Sequence, residues 1–102
     1  MVDFSKLPLG TQRMAMYVSN VREFVLLEQS IIKDTAERLV DGKSFINQIV
    51  LTRSEKVYDL VNRLAKYTLK IDGEMPTVDE KRKMRVYLAW CVLNEAKNNL
   101  NQ

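Results

Sequence analysis

Between Thr11 and Val40 apolar residues recur every three or four positions. Met14, Tyr17, Val18, Val21, Phe24, Val25, Ile31, Ile32, Ala36 and Leu39 share one face when projected at about 100° per residue. No Pro or Gly interrupts the pattern, and Gly42 follows it directly. It therefore predicts one long helix over 12–40, closed by a left-handed glycine cap, with Pro8 and Gly10 in a leading loop and Thr11 as a candidate N-cap.

Ser44 is placed to cap a short helix carrying Phe45, Ile46, Ile49 and Val50, and Thr52-Arg53-Ser54-Glu55 reads as a capping box opening a helix to residue 69; alternatively, the two segments run together. Its inward stripe is Val57, Leu60, Val61, Leu64 and Thr68. After a turn at Asp72-Gly73 and Pro76, a second capping box at Thr77-Val78-Asp79-Glu80 starts a last helix to residue 98. All three glycines fall where turns are needed, and strand signals are weak. The expected fold is all-α, a compact bundle of three to five helices with a long first helix, forming one domain over 1–102 with loose ends at 1–10 and 98–102.

The pattern also leaves an apolar surplus. Met16, Leu26 and Leu27 project away from the main stripe of the first helix, and Tyr87, Leu88, Cys91 and Val92 do so on the last. A central position would bury the last helix on all sides, whereas the first-helix residues are harder to hide within so small a chain. Met16, Leu26, Leu27, Leu88 and Val92 are accordingly the expected interface of a homo-oligomer or protein complex, and Trp90 is expected to anchor the core. Glu28 lies inside the apolar stripe, where a carboxylate needs an arginine partner, a role in register or an exit to water.

Composition removes most chemistry. The chain has no histidine and a single cysteine, Cys91, within the apolar run 86–93. The commonest general base, the commonest nitrogen metal ligand and any internal disulfide are therefore missing. Three glycines cannot supply a phosphate-binding loop or dinucleotide fingerprint, and no inward-pointing carboxylate set suits a metal. No catalytic residue, cofactor or metal site is expected. The start lacks a basic head and apolar stretch, and no apolar run approaches the roughly 20 residues that span a bilayer, so a cytoplasmic protein without membrane association is expected.

Charge is uneven: residues 1–51 carry six Lys/Arg and six Asp/Glu, and residues 52–102 carry ten and seven, so the net +3 belongs to the second half. Lys56, Arg63, Lys66 and Lys70 share a flank of the third helix, and Arg82 and Arg85 open the last. This flank is expected to steer an acidic protein partner; alternatively, it contacts phosphates in a nucleic-acid-binding accessory protein. Residues 45–55 onward have the order of a helix-turn-helix, but without the turn glycine and with few polar base readers. The leading expectation is a small non-catalytic interaction protein, an adaptor, inhibitor or assembly factor, that self-associates and binds a larger macromolecule.

Overall fold

The computed structural model describes residues 3–42 and 45–100. A 3-10 turn at Phe4–Lys6 precedes five helices: α1 Leu9–Asn20, α2 Arg22–Asp41, α3 Gln48–Thr52, α4 Glu55–Asp72 and α5 Val78–Leu100. The all-α bundle expected from the pattern is what forms, with no strand among the described residues.

The expected long first helix is two. Val21 adopts extended backbone (φ −94°, ψ 118°) and serves both sides of the break: its N–H donates to Tyr17 O, and its carbonyl accepts from Phe24 N and Val25 N, each at 2.9 Å. The Ser19 hydroxyl and the Asn20 amide donate back to the carbonyls of Ala15 and Met16. Such side chains compete with the helical ladder and favour helix ends, so a break needs neither Pro nor Gly. The elbow closes on Tyr67 of α4, whose ring meets Tyr17 edge-on at 5.0 Å and Phe24 at 5.3 Å.

Helix α1 also begins earlier than expected, at Leu9, so Gly10 is a buried helical residue and not part of a loop. Pro8 at its N-cap offers no side-chain acceptor. The missing cap comes from α5, where Glu80 Oε2 accepts from Gly10 N at 2.6 Å while Oε1 accepts from Thr77 N at 2.8 Å. The Thr77 hydroxyl in turn accepts from Glu80 N, completing the box expected at that site. Thr11, instead of capping, lies buried inside α1 and donates to the Glu80 carbonyl at 2.8 Å.

Gly42 and Gly73 close α2 and α4 in the left-handed region, at φ 67° and 76°. Ser44 lies outside the described residues; Asn47 caps α3, its side-chain oxygen accepting from Val50 N at 2.9 Å. Ser54 caps α4, not Thr52, whose hydroxyl is bonded to Gln48 O at the end of α3. The 3-10 turn and the start of α1 fall within 1–10, and α5 reaches Leu100.

Helix α5 is the axis, packing against α1, α2, α3 and α4. Its inner faces carry Met84, Leu88, Ala89, Val92 and Ala96, all at zero exposure. The alanines let neighbouring helices approach closely, and the α4 stripe meets them as expected from the pattern, with Val57, Leu60, Val61, Leu64 and Thr68 all buried.

Candidate interaction surface

Helix α3 is pinned to the bundle by two residues flanking its cap. Ile46, just before Asn47, and Leu51, four residues after it, are both buried, the arrangement of a hydrophobic staple. A helix of five residues held by that side turns its other side outward. Ile49 is 64% exposed, Val50 is exposed, and Phe45, upstream of the cap, is 82% exposed, the most of any large apolar residue described. Beside α3, the outer face of α5 carries Val86, Trp90 and Leu93, separated by one helical turn each.

Between the two helices runs an open groove of about 390 Å³ lined by Gln48, Ile49, Thr52, Arg53 and Val86. The Gln48 amide reaches the Val86 carbonyl at 3.4 Å across it. Trp90 lies one turn further along α5 and is half-buried, outside the core cluster. The expectation of a core anchor is thereby corrected: α5 turns Met84, Leu88, Ala89, Val92 and Ala96 inward and leaves the indole at the rim.

Three of the five expected interface residues are placed differently. Leu88 and Val92 are fully buried because α5 is central, so neither is available to a partner. Leu27 is half-buried and lines a groove between α2 and α4 with Ile31 and Leu60. Met16 and Leu26 are exposed at 51% and 55%, but on separate helices either side of the Val21 break. Phe45, Ile49 and Val86 were not singled out by periodicity. A five-residue helix is shorter than two turns, so its apolar spacing does not reveal which side faces out.

The expected basic flank is largely occupied from within. Lys56 Nζ is 3.6 Å from Asp34 Oδ2, Arg63 Nη1 is 3.9 Å from Glu23 Oε1, and Arg82 Nη2 is 2.6 Å from Asp79 Oδ1. The Arg85 guanidinium sits 4.1 Å from the centroid of the Tyr58 ring. Among the described residues no acidic partner is recorded for Lys66 and Lys70, which leaves two adjacent cations where the sequence offered six.

Glu28 and Cys91 complete the chemical inventory. Glu28 is half-buried on α2 towards α5 with no ion pair among the described residues, and burial raises its pKa, with Glu95 adding to the effect. Tyr87 is pushed up to about 12 by burial, then by its neighbour Cys91, and the Cys91 thiol is itself raised by burial, the opposite of what a nucleophile requires. No group of three or more metal-ligating side chains occurs among the described residues, and no described helix is long and apolar enough to cross a membrane.

Because ionised Glu28 is disfavoured in the fold, its penalty is absent below the ordinary glutamate value of 4.5, and it reaches full size once pH passes the raised folded value. Glu28→Gln is therefore expected to raise the thermal midpoint at pH 7 by a few degrees and to lose that advantage at pH 3, as followed by circular dichroism. A variant less stable than the parent at pH 7 would mean that the carboxylate has a stabilising partner.

No family model, curated protein or solved structure matches the chain.

Proposed function

We propose that the protein is a non-catalytic interaction module of the cell interior that docks a protein through the outer surface of α3 and α5. The observation that carries this reading is that exposed Ile49 and Val86 line one groove, with half-buried Trp90 one turn along α5 and exposed Phe45 just upstream of α3, on a bundle whose core cluster includes none of them. Large apolar groups exposed along a groove of a small domain favour a docking role over a purely solvated face. Self-association belongs to the same reading, with a second copy as one occupant of the surface. The nucleic-acid alternative is weaker, because most of the expected phosphate contacts already have partners within the chain.

The test is site-specific photocrosslinking in the native host, with p-benzoylphenylalanine at position 45 and, as a control on another face, at position 16. A discrete protein adduct from position 45, lost when Val86→Asp is added, is the expected result. Adducts from position 16 alone, or none from either position, would remove α3 and α5 as the docking surface.

A further inference from the structure

The α3–α5 surface has a charge pattern as well as an apolar one. Arg82 and Lys83 precede Val86 by four and three residues, and Lys97 follows it by eleven, so all three lie along the outer face of α5 with Trp90 and Leu93 between them. Arg53 closes the groove from the α3 side. The strip from Arg82 to Lys97 covers 15 helical steps, about 22 Å, the length of roughly four turns of a second helix laid alongside.

Among the described residues, acidic side chains are almost absent from this strip. Asp79 is the exception, and it is engaged by Arg82 at 2.6 Å and Lys83 at 3.1 Å, which hold its carboxyl below the usual range. Glu95 faces the α2 side, next to Glu28, and Glu55 lines a groove with Thr35 and Leu51. Counting Arg53, Arg82, Lys83 and Lys97 against Asp79, four positive charges less one negative, the strip carries a net +3 around an apolar centre.

We infer that the occupant of this groove is an acidic amphipathic helix of another protein, its apolar ridge against Ile49, Val86 and Trp90 and its carboxylates towards Arg53 and Lys97. The inference rests on the docking role proposed above and names its partner's chemistry. Apolar ridges in grooves supply affinity in such complexes, while flanking charges set preference and encounter rate. Basic helices are repelled by the same rim.

Trp90 is the only tryptophan in the chain and lies one turn along α5 from the groove, so its emission reports on a helix laid along the strip. The probes are synthetic peptides of about 18 residues with leucine on one helical face and all-Glu, all-Gln or all-Lys polar faces, free of tryptophan. At low salt the Glu peptide is expected to shift the Trp90 emission with a dissociation constant about tenfold or more below that of the Lys peptide, and salt should narrow the gap. Combining Arg53→Glu with Lys97→Glu should weaken the Glu peptide about fivefold or more without moving the melting curve.

Equal binding of all three peptides, abolished by Ile49→Asp, would overturn the acidic helix and leave the docking surface standing. So would a concentration-dependent dimer, broken by Ile49→Asp, in a protein whose Trp90 emission no peptide moves, since the occupant is then a second copy. A shift produced by short duplex DNA, dependent on Arg53 and indifferent to Ile49→Asp, would replace the helix with a polyanion. A monomer that none of these probes reaches would remove both the inference and the docking role beneath it.

Discussion

Leu88→Ala is expected to lower the unfolding free energy by about 3 kcal/mol, a fall of roughly 12–20 °C in the thermal midpoint for a domain of this size. Leu88 has no exposed surface and lies in the core on the helix that packs against the other four, so truncation leaves a void at the centre of the bundle. The informative comparison is Ile49→Ser, also an apolar truncation, which removes a side chain that is mostly in water and should change stability by no more than about 0.5 kcal/mol. Urea titration of both variants checks the pair. A cost below about 1 kcal/mol for Leu88→Ala would mean that α5 is not the axis of the bundle.

That contrast also marks where the sequence stopped being readable. The α4 stripe was legible throughout, because one face of an amphipathic helix meets the core and the other meets water, so period and burial coincide. Helix α5 has no such asymmetry in its pattern. Its apolar residues fall at nearly every angle although one side meets water, and periodicity alone cannot separate Leu88, which is inside, from Val86, which is at the surface.

The Val21 break was missed for a different reason. It is made by two polar side chains bonding back to carbonyls one turn earlier and by aromatic packing on Tyr67, a residue 46 positions downstream of Val21. Ser19-Asn20 is the local trace of it, a pair of modest helix formers that tertiary packing turns into an end. The candidate surface was hidden in the same way, since the outward turn of α3 depends on Ile46 and Leu51 finding the core.

Glu80→Ala is expected to cost about 2 kcal/mol at pH 7, more than a surface glutamate normally contributes, because a single carboxylate caps the first turns of two helices. Its bonds to the Thr77 and Gly10 amides are charge-assisted and hold its pKa below the ordinary value of 4.5, the Thr77 amide having the larger effect. A depressed folded pKa fixes the sign: the contribution is complete above 4.5 and is lost as pH falls through the folded value, so parent and variant should converge in acid.

Gly10 supplies the sharper test of the same contact. A methyl group there would fall on the Glu80 carboxylate group, so Gly10→Ala should destabilise the parent even though alanine is the better helix former by about 1 kcal/mol. In the Glu80→Ala background the space is open and the same substitution should stabilise. The opposite signs of one substitution in two backgrounds, measured as a double-mutant cycle by urea denaturation, isolate the coupling between the starts of α1 and α5. If Gly10→Ala has the same effect in both backgrounds, the carboxylate does not join the two helices, and the early start of α1 needs another cause.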